Sequence, residues 1–138
     1  MSDRTKTMVE NQLRKRGIND TAVLDAMSTV PRHRFVSRIY GPMAYTDNPL
    51  PIGHGQTISQ PYIVALMTQL LQVEKEHKVL EIGTGCGYQT AILSILSKLV
   101  ITLEVKGRLS KRSQKRLVKL GYENIIFHCA DGKRGWKK

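Results

Sequence analysis

The sequence has few cysteines, few aromatic residues and no long apolar run. The two cysteines, Cys86 and Cys129, have no metal-ligand spacing and are too few for a disulfide scaffold, so we expect reduced thiols. An apolar run of about eighteen residues, as a membrane span requires, does not occur. The first residues also lack the apolar segment of a signal peptide. These absences predict a cytoplasmic, soluble domain with no membrane partner.

Acidic residues are scarce in the last quarter of the chain, where most of the net charge of +11 lies. Residues 105–138 carry eleven basic and two acidic side chains, whereas residues 1–104 carry eleven and nine. The apolar residues of the basic stretch are Leu109, Leu117, Val118 and Leu120. Their spacing predicts an amphipathic helix with a basic outer face, to which Arg116 belongs. A nucleic-acid-binding face is one interpretation, but no aromatic residue interleaves the stretch to stack on bases, which favours a solvated face.

Glycine is concentrated in the stretch from Lys78 to Tyr88, KVLEIGTGCGY. The pattern predicts a short buried strand that breaks into a glycine-rich turn and then opens a helix. Such a turn lets the backbone approach a ligand closely and leaves the first N–H groups of the helix exposed. A second apolar run ends before Glu104, at the position where nucleotide-binding folds hold ribose hydroxyls. The alternative is a tight strand-to-helix turn that binds nothing.

The glycine spacing separates two classes of nucleotide site. Dinucleotide sites use Gly-x-Gly-x-x-Gly, whereas this stretch reads Gly-x-Gly-x-Gly after Glu81. The pattern resembles the first motif of S-adenosylmethionine-dependent methyltransferases. A nicotinamide-dependent oxidoreductase is therefore the weakest alternative.

The first half of the chain predicts helices around a loop. Residues 7–16 predict a helix that ends at Gly17, and Asp20 is placed to cap a second helix that Pro31 ends. From residue 40 to residue 61 the prolines and glycines predict one long structured loop, followed by a helix over 61–71. Within the loop, Thr57 and Ser59 either cap that helix or carry a function.

Two long motifs are specific to one protein family. The segments PIGHGQTISQPYIVA (residues 51–65) and VLEIGTGCGYQTA (residues 79–91) closely resemble protein-L-isoaspartate O-methyltransferases. Shorter matches are VPRHRFV (30–36), LGYENI (120–125) and ADG (130–132), so the resemblance covers nearly the whole chain. It implies methyl transfer from S-adenosylmethionine to the carboxylate of an isoaspartyl residue in a damaged protein. The ester then favours succinimide formation and partial return to aspartate, which is protein repair.

The resemblance also implies a role for individual residues. Ser59 would be the active-site hydroxyl, with no metal involved. The implied cofactor-binding residues are Gln56, Thr57, Ile58, Gly83, Thr84, Gly85, Gly87, Glu104, Asp131 and Gly132. Among them, Glu104 would hold the ribose hydroxyls, and Asp131 with Gly132 would lie on the adenine side. The acceptor carboxylate is ionised near pH 7, so the transfer needs positioning and desolvation more than a strong base.

The implied fold class is α/β, an incomplete Rossmann-like class I methyltransferase fold with N-terminal helices and the first three parallel strands. The strands are predicted over 78–82, 99–104 and 124–129. We expect one truncated domain, with the helices and active-site loop in 1–77 and the first half of the sheet in 78–138. Without a fourth strand in the order 3-2-1-4-5, the first strand becomes an exposed apolar edge.

Three functional hypotheses stay open at this point. The first is a monomeric isoaspartyl methyltransferase that acts on damaged proteins and peptides. The second is a catalytically inactive remnant of such an enzyme, which another polypeptide would have to complete. The third is a basic nucleic-acid-binding module, for which the sequence offers the least support.

Overall fold

The structure is a computed structural model that describes residues 2–136. These residues form two units, one extending to Val73 and the other beginning at Glu74. No helix in the described range is both long enough and apolar enough to cross a bilayer.

The first unit begins with a continuous helical segment that changes its winding. Helix α1 spans Asp3–Met8, and a π-helical stretch (Val9–Leu13) and a 3-10 turn (Arg14–Arg16) follow it. Gly17 ends the segment in the left-handed region with φ +96°, as predicted. The helix predicted from residue 7 therefore starts earlier, because the polar first turn carries no apolar periodicity.

The next helix confirms the predicted capping by Asp20. Helix α2 spans Thr21–Thr29, and the Asp20 carboxylate accepts hydrogen bonds from the N–H groups of Ala22 and Val23 at 3.0 and 3.3 Å. Pro31 follows the helix, and two 3-10 helices, Arg32–Phe35 and Arg38–Met43, come next.

A β-hairpin occupies the middle of the segment that the sequence predicts as loop. Strand β1 (Leu50–Gly53) pairs antiparallel with β2 (Gln56–Ile58). The turn residue His54 has a φ of 54°, and the two glycines beside it also have positive φ angles. The loop prediction was wrong here because the strands are only four and three residues long and the first contains Pro51, so no alternation is visible.

Helix α3 spans Pro61–Leu71, as predicted, and completes the first unit. Its N-cap is Gln60, which makes no side-chain capping hydrogen bond. The helix therefore does not begin with the cap by Thr57 or Ser59 that the sequence allowed. The buried apolar residues of this unit include Met8, Leu13, Val23, Met27, Phe35 and Val64.

The second unit alternates strands and helices around a parallel sheet. Its elements are β3 (Lys78–Ile82), α4 (Tyr88–Leu96), β4 (Leu99–Leu103), α5 (Gly107–Lys119) and β5 (Ile125–His128). The strand order is β3-β4-β5, and both pairings are parallel. Both crossovers step in the same direction across the sheet, so right-handed connections place α4 and α5 on the same face. All three predicted strands are confirmed to within one or two residues at their ends.

The edge and the outer helix of this unit test two further expectations. Strand β3 lies at an edge of the sheet in the described residues, and Ile82 is 60% exposed, which confirms the predicted apolar edge. On α5, Leu109 and Leu117 are buried as expected. Val118, which the spacing grouped with them, is 62% exposed. The grouping was wrong because Val118 follows Leu117 by one position and so lies about 100° around the helix from it.

Candidate functional site

The carboxyl ends of the three parallel strands meet at one edge of the second unit. The glycine loop, residues 83–87, follows β3, and Glu104 follows β4. Asp131 and Gly132 come shortly after β5. Because parallel strands end at the same edge of a sheet, these three segments are neighbours. This edge is where open α/β sheets place their ligand sites.

The Glu104 carboxylate holds the glycine loop in place. Its Oε1 accepts a hydrogen bond from the Gly85 N–H at 2.9 Å, and its Oε2 accepts one from the Lys106 N–H at 3.0 Å. The side chain is buried at this position. Each oxygen retains acceptor capacity for a further donor such as a ligand hydroxyl. Glu104 therefore joins the loop after β3 to the start of α5 and can still receive a ligand.

Gly87 is the point at which the loop becomes helix α4. Its φ is +93°, and its carbonyl accepts the first helical hydrogen bond from the Ala91 N–H at 2.9 Å. A Cβ atom at this position would lie 2.8 Å from Cδ1 of Leu117, which is fully buried. Glycine is therefore required at position 87 by backbone conformation and by packing together.

A chain of buried hydroxyl groups links the glycine loop to Glu81. The sequence patterns did not identify Glu81 as a site residue. The Thr102 hydroxyl donates to Glu81 Oε1 at 2.7 Å, and the Thr90 hydroxyl donates to the same oxygen. Thr84 of the loop lies 2.6 Å from Thr102, oxygen to oxygen. Because Thr102 gives its single proton to Glu81, Thr84 is the donor in that pair. An acidic residue inside an apolar strand was the signal that could have found this network.

Burial sets the charge state of this carboxyl. The pKa of Glu81 is raised to about 7, mainly by loss of hydration and to a smaller extent by the Glu104 carboxylate, while the hydrogen bonds from Thr90 and Thr102 oppose the shift. Glu81 is therefore partly protonated at neutral pH. Two hydroxyl groups, those of Thr102 and Thr84, connect this carboxyl to the loop.

The segment after β5 reaches the end of β3. The Asp131 carboxylate accepts a hydrogen bond from the Lys133 N–H at 3.0 Å and so opens a 3-10 turn, Gly132–Arg134. The backbone of Gly132 lies against the side chain of Ile82, with no space for a Cβ atom. Glycine at 132 therefore lets this segment close over the end of β3, beside the glycine loop.

Arg116 contributes to the loop rather than to the outer face of α5. Its Nη1 donates to the Cys86 carbonyl at 2.8 Å, and burial lowers the pKa of its guanidinium. The prediction that Arg116 belongs to a solvated basic face was wrong, because its long side chain folds back over the loop. Helical spacing alone does not show that direction.

The remaining predicted site residues lie in the first unit, at the end of the hairpin. Gln56, Thr57 and Ser59 are exposed, whereas Ile58 is buried. The Ser59 carbonyl accepts a hydrogen bond from Nη2 of Arg32 at 2.9 Å. The four residues are consecutive, so the structure brings them together within their own unit.

Two histidines of the first unit lie in different surroundings. His33 lies 2.9 Å from the Tyr45 hydroxyl through its Nδ1, and His54 sits at the hairpin turn. No cluster of three or more His, Cys, Asp or Glu residues that could hold a metal ion occurs within residues 2–136.

Comparison with known proteins agrees with this architecture. The family model of protein-L-isoaspartate(D-aspartate) O-methyltransferase matches residues 3–138. Protein-L-isoaspartate O-methyltransferase 2 of Shewanella sediminis is 56% identical over 133 residues, which are 96% of this chain and 54% of the relative. The chain spans about half to two thirds of the length of the curated relatives it matches, from 54% to 63%.

Solved structures give the same result for the fold. A protein-L-isoaspartate O-methyltransferase is 31% identical with a TM-score of 0.84, over 93% of this chain and 42% of that one. A putative enzyme of the same name from Plasmodium falciparum, solved with S-adenosyl-L-homocysteine, is 30% identical with a TM-score of 0.76, over 94% of this chain and 64% of that one. The fold is therefore part of a Rossmann-like class I methyltransferase fold. The chain belongs to the protein-L-isoaspartate(D-aspartate) O-methyltransferase family.

Proposed function

We propose that this chain supplies two parts of an enzyme that methylates L-isoaspartyl residues in damaged proteins. One is the cofactor-binding edge, at the carboxyl ends of β3, β4 and β5, and the other is the substrate loop, residues 56–59. The observation that carries the proposal is the tie between Glu104 and the glycine loop at the carboxyl edge of the sheet. It presents a buried carboxylate and a close-approach backbone side by side, which is how α/β folds bind an adenosyl ligand.

The residues at this edge fit S-adenosylmethionine. The Glu104 carboxylate has acceptor capacity for two ribose hydroxyls, and Gly83 has open space where a side chain would otherwise stand. Thr84, Gly85 and Gly87 would lie against the methionine end, with Asp131 and Gly132 on the adenine side. The cofactor, when bound, supplies a methyl group on an electrophilic sulfonium centre.

The protein's part in the reaction is positioning. An isoaspartyl carboxylate is already ionised near pH 7, so no side chain has to remove a proton from it. Ser59 is exposed and its hydroxyl can donate to a substrate carboxylate, which would orient the attacking oxygen. Gln56 and Thr57 extend the same exposed segment, and Ile58 anchors it in the core. Exclusion of water around the two reactants would strengthen their interaction.

The proposed partners are proteins and peptides with isoaspartyl residues. We propose that the chain acts on them as a monomer in the cytoplasm. Neither cysteine forms a disulfide, which fits a reducing compartment. Nucleic acid is not among the proposed partners, because the basic stretch 106–119 contains no aromatic residue for stacking.

A methyl-transfer assay tests this proposal directly. The purified chain is incubated with radiolabelled S-adenosylmethionine and either an isoaspartyl peptide or the same peptide with normal aspartate. We expect transfer to the isoaspartyl peptide alone. Ser59→Ala should reduce kcat about tenfold to a hundredfold, whereas Ser37→Ala, an exposed serine of the same unit, should leave it unchanged.

Two results would count against the proposal. Equal transfer to both peptides would contradict the substrate, and full activity of Ser59→Ala would contradict the assigned hydroxyl. A folded chain that transfers no methyl group at all would favour the alternative, a catalytically inactive remnant of such an enzyme.

A further inference from the structure

Arg32 is a fully buried arginine in the first unit, with 0% of its surface exposed. It lies in the first 3-10 helix after Pro31, between the exposed residues His33 and Arg34 on one side and the proline on the other. Arginine is almost never fully buried unless its guanidinium is engaged. We therefore expect the guanidinium of Arg32 to make specific hydrogen bonds inside the first unit.

The guanidinium of Arg32 joins two distant segments. Its Nε donates to the Ala44 carbonyl at 2.6 Å, and its Nη2 donates to the Ser59 carbonyl at 2.9 Å. The acceptors are twelve and twenty-seven residues further along the chain. The planar guanidinium holds its donors in fixed directions toward both carbonyls, whereas the ammonium of lysine is a single centre without that fixed geometry.

The Ser59 end of this clamp lies where the backbone changes from strand to helix. Strand β2 ends at Ile58, and α3 begins at Pro61 with no side-chain cap from Gln60. The Gln60 side chain instead donates to Asp47 at 3.1 Å. A charge-assisted hydrogen bond to the Ser59 carbonyl therefore fixes the peptide group that directs the Ser59 side chain.

We propose that Arg32 is a positioning residue that sets the orientation of the Ser59 hydroxyl by clamping the Ser59 and Ala44 carbonyls. This inference rests on the proposed function for the role of Ser59. Arg32 does not touch the substrate, and its effect on methyl transfer passes through Ser59.

A double-mutant cycle tests this dependence. Arg32→Lys should lower kcat for the isoaspartyl peptide about tenfold or more in the native background, since a small misplacement of a catalytic group is costly. In the Ser59→Ala background the same change should alter kcat less than about twofold, because the group it positions is gone. Arg34→Lys, an exposed arginine of the same 3-10 helix, is the matched control and should have no effect in either background.

Circular dichroism on each variant shows whether it folds at the assay temperature. An equal loss in both backgrounds would mean that Arg32 only supports the fold, and it would overturn the proposal. No loss in the native background would overturn it as well.

A second measurement needs neither a variant nor activity. In NMR spectra of the unaltered chain, the clamp predicts slowly exchanging Nε–H and Nη–H signals of Arg32 and a coupling across the hydrogen bond to the Ser59 carbonyl carbon. Fast-exchanging guanidinium signals with no such coupling would overturn the clamp. The NMR measurement tests the clamp even where Arg32→Lys does not fold or Ser59→Ala has no measurable rate. It also separates the two proposals, because a chain with the coupling but no methyl transfer would contradict the function and keep the clamp.

Discussion

The two units hold their proposed site residues in different ways. In the second unit, Glu104 is buried and tied to two backbone N–H groups, and the glycine loop is connected through Thr84 to Glu81. In the first unit, Ser59 is exposed at the end of a three-residue strand. The proposed cofactor edge is built into a core, and the proposed substrate loop lies on a surface.

This difference matches the demands of the two ligands. A cofactor is the same molecule in every turnover, so a rigid edge with fixed donors and acceptors lowers the cost of binding it. Damaged proteins, the substrates that we propose, differ in the sequence around the isoaspartyl residue, so an exposed loop would accept many of them. Substitutions in the second unit should therefore change stability strongly, whereas those in the substrate loop of the first unit should change turnover alone.

The largest effect is expected from Gly87→Ala. The change places a Cβ atom 2.8 Å from Leu117 and puts a non-glycine residue at φ +93°. Overpacking and backbone strain together should lower the free energy of unfolding by about 2–5 kcal/mol. Urea unfolding followed by the fluorescence of Trp136, the single tryptophan of the chain, reports on this unit.

Gly83→Ala is the matched control within the same loop. It has almost the same φ, +92°, but open space where the Cβ would stand. Only the backbone cost of about 1–2 kcal/mol should remain. Equal losses for the two variants would show that contact with Leu117 does not restrict the loop.

The second effect is a pH dependence that comes from Glu81. Burial raises its pKa from the ordinary value of 4.5 to about 7, so the folded state binds a proton more tightly than the unfolded state does. The resulting stabilisation is fully present below about pH 4.5 and is lost as pH rises through about 7. A shift of this size corresponds to a loss of about 3 kcal/mol.

Glu81→Gln removes that titration and tests the sign. Relative to the native chain, the variant should gain about 3 kcal/mol between about pH 4.5 and about pH 8, measured by urea unfolding with Trp136 fluorescence. The opposite trend, or parallel pH profiles for the two proteins, would show that Glu81 is not a buried carboxyl with a raised pKa. Glu123→Gln, at an exposed position of the same unit, serves as the control.

The smallest effects compare one hydroxyl removal in each unit. Thr102→Val removes a buried hydroxyl that donates to Glu81 and receives from Thr84, and it should cost about 1–3 kcal/mol of stability. Ser59→Ala removes an exposed hydroxyl and should change stability by less than about 0.5 kcal/mol. Thermal unfolding followed by circular dichroism measures both. A larger loss for Ser59→Ala than for Thr102→Val would reverse the contrast between the units.

Much of the second unit could be predicted from sequence because its signals are local. Apolar, β-branched runs such as Val100-Ile101-Thr102 mark the strands, and glycines mark the turn. The family motifs add the topology. The hairpin at β1 and β2 was missed because its short strands and turn contain a proline and two glycines, which is also the composition of a loop.

The interactions that shape the site were less visible. Arg32 stands among charged residues in RHR, and only the tertiary structure shows that its side chain turns inward. Arg116 fits a basic helical face by spacing, yet its guanidinium bonds to the Cys86 carbonyl. In both cases a long side chain donates to a carbonyl that is at least twenty-seven residues away in the chain. Sequence patterns identify which residues are present at such positions but not what their side chains contact.

Calorimetric titration of the purified chain with S-adenosylhomocysteine tests the central claim most directly. The claim is that the carboxyl edge of the β3-β4-β5 sheet is an adenosyl-binding site that depends on Glu104. Glu104→Gln replaces a carboxylate that accepts from Gly85 and Lys106, and Glu123→Gln is the exposed control.

We expect saturable binding by the native chain and by Glu123→Gln, with affinity about tenfold to a hundredfold lower in Glu104→Gln. Binding of equal strength in all three proteins, or no binding by a native chain shown to be folded, would contradict the claim.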